Sequence, residues 1–345
     1  MEKKDYKISI KDVAKHAQVG LGTVSRAIND TGGISEEKKQ KVMESIAELG
    51  YTPNRLAQSM RSQKYKNVVF FVDLNNITFS RIANGIYSQL EEHGYMLTLC
   101  NIGSENVIEK ISMFMSGRQF DGIILAPPQE DDEDLNEYLQ SLETPIVTIE
   151  IDIPGIPNSV NIDYRTSVKK ATNYMLSLGH KNTALLCGSS VVKSNSRMID
   201  AFKETYKDQG LSVEQQLIMQ RGTTETSTDA QMMLNLLYKI KNNEITAVLC
   251  MNTQLLHHLL QLLRDNHLQY PDDVSIIAIE DYELTQLLNP PLTVIKRSLT
   301  EIGERISQIL INYINYPETY GELPAYNISS EFIIRESCKA IPREK

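Results

Sequence analysis

The stretch Val19-Gly-Leu-Gly-Thr-Val-Ser-Arg-Ala-Ile-Asn29 puts Leu21, Gly22, Thr23, Ser25, Arg26 and Asn29 on the outer face of a helix whose inner face carries Val24, Ala27 and Ile28. A bidentate arginine on guanine in the major groove gives about 1–3 kcal/mol of base discrimination. Ser, Thr and Asn suit the phosphate contacts that set register on a duplex. The chemistry offered is recognition of double-stranded DNA, although a solvated three-helix fragment has the same spacing. Local charge favours DNA. Residues 1–66 carry 13 Lys+Arg and 8 Asp+Glu, whereas the remainder carries 22 and 36. A head of net +5 on a body of net −14 has the distribution of a polyanion-binding module fixed to something that is not one.

A second set of residues stands at the ends of apolar runs. Asn75, Asn76 and Phe79 follow Val68–Val72, Gln129 follows Pro127-Pro128, and Glu150 sits at the end of Ile146–Ile151. Asn195 and Arg197 open a helix, Asn252 follows Cys250-Met251, and Glu280 and Asp281 follow Ile279. Carboxylates, amides, an arginine and an aromatic face hold a sugar or another small polar metabolite. Each also has a plainer role: turn formation for the asparagines, core packing for Phe79, a surface pair with Asp200 for Arg197. The expected effector-binding set is Asn76, Phe79, Gln129, Glu150, Arg197, Asn252 and Glu280.

Other chemistries lack support. His257 and His258 are adjacent on a helix, where i,i+4 spacing is needed to share a metal. The run Glu130-Asp-Asp-Glu-Asp134 reads as a solvated loop. There is no phosphate loop and no catalytic Ser/His/Asp or Cys/His set, so no cofactor, metal or enzymatic role is expected. Cys100, Cys187, Cys250 and Cys338 have no short spacing and read as free buried thiols.

These residues need elements to position them. Ser9-Ile-Lys-Asp12 has capping-box form and opens a short helix over Ile10–Ala17. Gln18 to Gly20 breaks it, the helix Leu21–Asn29 follows, and a third begins at Ser35-Glu-Glu and ends at Gly50. This is the form of a helix-turn-helix. Thr52-Pro53 opens a further segment to Met60 of about two turns, marginal alone in water.

From residue 67 the pattern alternates. Strands are expected at 68–72, 95–102, 122–126 and 146–151, with helices at 82–93, 107–115 and 135–142. Ser159–Asp163 reads as an extended crossover. The alternation restarts with helices at 168–178, 196–209, 230–240 and 254–266 and strands at 183–187, 247–251 and 274–279. A strand at 292–295, a helix at 299–313 and an extended 328–334 complete it. Such βαβ series form parallel doubly wound sheets. At 345 residues the chain suits two or three domains, and its 41 % apolar content is that of a globular protein. Met1–Lys7 is polar and no run approaches 18 apolar residues, so a cytosolic protein without a membrane partner is expected.

The motifs Ile10-Lys-Asp-Val-Ala14, Thr23-Val-Ser-Arg26, Ile34-Ser-Glu-Glu37 and Leu49-Gly-Tyr-Thr-Pro-Asn-Arg-Leu-Ala57 resemble the head and hinge of the LacI/GalR family of bacterial transcriptional regulators. The likeness extends to about residue 335. It implies an all-α helix-turn-helix head at 1–50, a hinge at 51–66 and an α/β core at 67–340. That core would have two doubly wound parallel-sheet lobes of the type I periplasmic-binding-protein kind. The first lobe would hold 67–163 and 297–325, the second 164–296 and 326–340. In the family, residues matching Leu21, Gly22 and Arg26 read bases, while those matching Ser9, Thr23, Ser25 and Asn29 hold phosphates or support the reading. Tyr51, Asn54 and Arg55 join the expected DNA-binding set. Met60 occupies the place of the apolar wedge that enters the minor groove when two hinges fold together on DNA.

The sequence departs from the family at several places. Gly20 stands where a Ser commonly starts the recognition helix, and Asn76-Ile-Thr-Phe79 replaces Asn-Pro-Phe-Phe. Glu150-Ile151 replaces Asp-Arg, Asn252-Thr253 replaces Asn-Asp, and Ala278-Ile-Glu-Asp281 replaces Gly-Phe-Asp-Asp. Arg197 precedes Ala201-Phe202 by four residues instead of three, about 100° round the helix. The resemblance implies a dimeric repressor, since no leucine heptad tail precedes Lys345. Its partners would be palindromic operator DNA and a small carbohydrate effector; the alternative is control by a partner protein.

Overall fold

The first three helices, α1 (Ile10–His16), α2 (Leu21–Asn29) and α3 (Glu36–Leu49), close a miniature core. Val13, Val24 and Val42 are fully buried, joined by Ala14, Ala17 and Ala27. Burying each such valine contributes about 1.5–3 kcal/mol. Ser9 donates its backbone N–H to the Asp12 carboxylate at 2.9 Å and its hydroxyl to the same oxygen at 2.6 Å. The left-handed residue of the turn is Gln18 at φ 55°, not a glycine. Gly20 instead starts α2, its carbonyl accepting from the N–H groups of Thr23 and Val24 at 2.9 and 3.2 Å. Gly50 closes α3 at φ 61°.

The computed structural model describes residues 8–29, 32–52, 64–74, 77–103, 106–117, 120–126, 132–156, 158–190, 192–214, 217–221, 229–320 and 326–341. Residues 1–65 form one unit and 66–345 another. The expected hinge residues Asn54, Arg55 and Met60 lie outside the described residues.

The second unit holds two six-stranded sheets. The first contains β1 (Asn67–Val72), β2 (Met96–Asn101), β3 (Gly122–Leu125), β4 (Ile146–Ile149) and β5 (Ser159–Ile162). Its helices are α4 (Ile77–Glu92), α5 (Val107–Met115) and α6 (Glu133–Gln140). The chain then enters the second lobe through α7 (Tyr164–Ser177), β6 (Thr183–Cys187), α8 (Lys193–Asp208), β7 (Ile218–Gln220) and α9 (Asp229–Lys241). It continues as β8 (Ala247–Cys250), α10 (Thr253–Asp265), β9 (Ser275–Ile279), α11 (Glu283–Leu287) and β10 (Thr293–Lys296). It returns as α12 (Leu299–Asn315) and α13 (Pro317–Tyr320), then ends with β11 (Tyr326–Ile328) and β12 (Glu331–Ile333).

The strand orders are β11-β5-β4-β3-β1-β2 and β12-β10-β9-β8-β6-β7, so the lobes repeat one topology. All pairings are parallel except β10 with β12. Such strands are buried on both faces, which explains the unbroken apolar runs: β1, β3, β6, β8 and β9 are buried throughout or nearly so.

Three expectations change, and one strand was not expected at all. The helix expected from Ile82 begins at Ile77, which brings Phe79 into its first turn. Ser159–Asp163, read as a crossover, supplies β5 of the first sheet. The stretch 328–334 is two strands in different sheets, so the last crossing falls at residues 329–330 and 326–328 pairs with the first lobe. The three-residue β7 had no periodicity to reveal it. One packing feature was also unread. Helices α4 and α12 approach so closely that a Cβ on Gly85 would strike the Thr300 carbonyl, and one on Gly303 the Ile82 carbonyl.

Candidate DNA-reading face and inter-lobe ligand site

On α2 the buried Val24 and Ala27 turn the opposite side outward. Leu21, Gly22, Arg26 and Asn29 are exposed, and Thr23 and Ser25 half-buried. Asn29 Nδ2 donates to the Ser25 hydroxyl at 3.4 Å. Ser9 is exposed at the start of α1. Tyr51 is half-buried against the head core. Six of the expected DNA-binding residues thus share the outer surface of α2, and the hydroxyl of Ser9 is held by Asp12.

In the second unit the strand ends of both lobes face a cavity of about 350 Å³. From the first lobe it is lined by Asp73, Thr78, Phe79 and Glu150; from the second by Ser194, Asn195, Arg221, Asn252, Thr253 and Gln254. Tyr164 and Arg297 line it from two of the crossings. Phe79 also packs edge-on against Phe70, with ring centroids 6.2 Å apart, so it serves wall and core together. Asn252 caps α10, its Oδ1 accepting from Leu255 N–H at 3.0 Å, which leaves its amide NH₂ for the cavity.

Arg297 forms the floor, with a side chain 8 % exposed. It meets Glu150 Oε1 from the first lobe at 3.4 Å and pairs with Glu280 Oε1 from the second. It also donates to the Tyr164 hydroxyl, which in turn donates to Glu150. Both glutamates are left-handed, at φ 60° and 72°, just beyond β4 and β9. Burial pushes the Tyr164 phenol well above its usual range; the Glu150 carboxylate adds to this and Arg297 opposes it.

Of the expected effector-binding residues, Phe79, Glu150 and Asn252 line this cavity together. Glu280 does not line this cavity: it is 3 % exposed and locked behind Arg297. Arg197 does not line it either, and pairs neither with ligand space nor with Asp200 but with Asp152 of the first lobe at 3.4 Å. Its extra residue of spacing turns it to the rim. Asp152 is held below the usual carboxylate range: burial acts against this, but hydrogen bonds from Ser159 and Asn161 and the charge of Arg197 outweigh it. Asn76 and Gln129 lie outside the described residues. Tyr164 and Arg297 went unread, because each follows a strand into a crossing instead of ending one. Among the described residues no cluster of His, Cys, Asp and Glu could hold a metal ion.

Residues 9–54 match the bacterial regulatory proteins of the lacI family, and residues 172–338 match the periplasmic binding protein-like domain. The transcriptional regulator DegA of Bacillus subtilis (strain 168) is 30 % identical over 303 residues, covering 86 % of this chain and 88 % of DegA. The chain belongs to the LacI family. It is a DNA-binding transcriptional regulator of that family. Among solved structures, the Lac repressor dimer bound to operator and the anti-inducer ONPF superposes with a TM-score of 0.82 at 20 % identity, covering 97 % of this chain and 100 % of that one. The CelR–cellobiose complex superposes at 0.70 and 23 % identity, covering 96 % and 99 %. No helix among the described residues is long and apolar enough to cross a membrane.

Proposed function

We propose that this LacI-family protein is a dimeric repressor whose affinity for a palindromic operator is set by a small polar molecule, a sugar or a derivative of one, in the inter-lobe cavity. The observation that carries the reading is the cavity itself, walled by strand ends of both lobes and floored by an arginine that bonds a carboxylate from each. In open α/β sheets this is where ligands sit. The relative CelR is seen with cellobiose, which supports a carbohydrate.

Gating requires that the ligand favour one arrangement of the lobes over another. Two further ion pairs bridge the lobes: Arg81 with Glu283 at 2.7 Å and Arg197 with Asp152 at 3.4 Å. A ligand that draws the walls together shifts the balance of these contacts. Dimerisation is supported by apolar side chains exposed on corresponding helices of the two lobes: Met113 on α5, and Leu234 with Tyr238 on α9. Met96 and Leu99 add to them on the edge strand β2. Each half of the dimer would read one half-site.

The test is a melting-temperature screen against sugars, sugar phosphates, nucleosides and amino acids, followed by operator titration with the hit. A compound that raises the melting temperature is expected to change operator affinity by tenfold or more, the scale of about 1.4 kcal/mol of coupling. A saturating hit that leaves operator affinity unchanged contradicts gating.

A further inference from the structure

The charges around the cavity point to the class of molecule it takes, an inference that rests on the crevice being a ligand site. Arg297 is the one cation of the floor and is engaged by Glu150, Glu280 and Tyr164. Arg221, on the wall, is engaged by Asp229 at 3.1 Å and by Gln254. No other lysine or arginine lines the cavity among the described residues. A phosphate or carboxylate on the ligand would thus find both wall cations already neutralised, and carboxylates beside them.

Glu150 is in the opposite situation. Both its protein contacts, from Arg297 and from Tyr164, go to Oε1. Oε2 has no partner among the described residues, and the residue lines the cavity with its side chain 22 % exposed. Glu150 and Glu280 together place two negative charges against the single positive charge of Arg297. The surplus lies at the accessible end of that network, on Glu150 Oε2. Asp73 adds a further carboxylate to the wall, and the remaining polar side chains are uncharged and hydrogen-bonding: Thr78, Ser194, Asn195, Asn252, Thr253 and Gln254. Helices α8 and α10 begin there, and their first-turn N–H groups suit hydroxyl oxygens.

We infer that the ligand is a hydroxylated amine: its ammonium group sits on Glu150 Oε2, its hydroxyls face the Ser, Thr and Asn side chains, and it carries no anionic group. A charge-assisted hydrogen bond is roughly twice as strong as a neutral one.

The probes are D-glucosamine, D-galactosamine and D-mannosamine. Each is compared with its neutral parent hexose, and glucosamine also with D-glucose 6-phosphate and D-glucuronate, by calorimetric titration of the full chain. At least one amine is expected to bind about tenfold or more tightly than its parent. The advantage should vanish when the pH is raised past the amine's own titration, and in Glu150→Gln, whose folding is checked by its melting temperature and DNA binding. Should Glu150→Gln fail those checks, the pH dependence with the unmodified chain decides alone. Equal or tighter binding of a neutral hexose overturns the amine but leaves the crevice as a ligand site. Preference for the phosphate or the glucuronate overturns the charge argument in the same way. No binding by any of the amines overturns the inference outright.

Discussion

The two lobes of the second unit share a strand order and a left-handed glutamate beyond corresponding strands, Glu150 after β4 and Glu280 after β9. They differ in what surrounds it. Glu280 is 3 % exposed and pairs with Arg297 away from the cavity, whereas Glu150 lines the cavity and keeps one oxygen unpartnered among the described residues. Repeating a fold therefore yielded two equivalent carboxylates in unequal surroundings, one buried behind the arginine and one turned to the cavity. The arginine that joins them sits on a crossing, so the link between lobes is also the floor of the site.

The comparison is broken most severely by Arg297→Ala. Removing one partner of a buried ion pair typically costs about 3–5 kcal/mol, and here it strands a buried glutamate. Denaturant unfolding should show a loss of that order. A loss below about 1 kcal/mol would mean that the two carboxylates do not depend on this arginine. Glu280→Gln is expected to lose about 1.5–3 kcal/mol, the range for hydrogen bonds to charged groups. Glu150→Gln should lose less than about 1 kcal/mol, since its carboxylate is partly solvated. Equal losses at the two positions would erase the asymmetry.

The lobes also differ in helix packing. Gly303→Ala drives a methyl into the Ile82 carbonyl and should cost about 1–3 kcal/mol in the first lobe. A melting temperature equal to that of the unmodified chain would show that α4 and α12 can separate freely. In the second lobe, His180 is buried between the Thr246 hydroxyl at 3.0 Å and the Lys339 carbonyl at 2.9 Å. Burial lowers its pKa from 6.5, so the unfolded chain binds more protons as the pH falls through that value. The contribution is present above about pH 6.5 and lost below it. Replacing His180 with Gln should flatten the fall in melting temperature on the acid side; an unchanged slope contradicts this. The smallest effect is chemical. Burial pushes the Cys187 and Cys250 thiols up to about 12, so both should resist alkylation at neutral pH until the chain is unfolded.

Most of the fold was legible because parallel strands buried on both faces leave apolar runs, and glycines such as Gly50, Gly94 and Gly179 mark helix ends with left-handed backbone. The chemistry of α2 was legible for a related reason: Val24 and Ala27 fix which side faces out. Phe79, Glu150 and Asn252 could be placed because ligands gather beyond strand ends. Arg297 and Tyr164 could not, since the pairing of Arg297 with Glu150 spans 147 residues and no local pattern encodes it. Arg197 shows the reverse case, in which one residue of helical spacing carries a plausible ligand group to Asp152.

The most direct test of what this molecule does is fluorescence anisotropy of the full chain on an inverted-repeat duplex selected from a random pool, against a scrambled competitor, at low and moderate salt. Tight, salt-sensitive preference for the inverted repeat is expected, with Arg26→Ala reducing that preference by about 1–3 kcal/mol. Equal affinity for both duplexes, or a preference untouched by Arg26→Ala, would contradict the reading of α2 as the helix that inspects DNA.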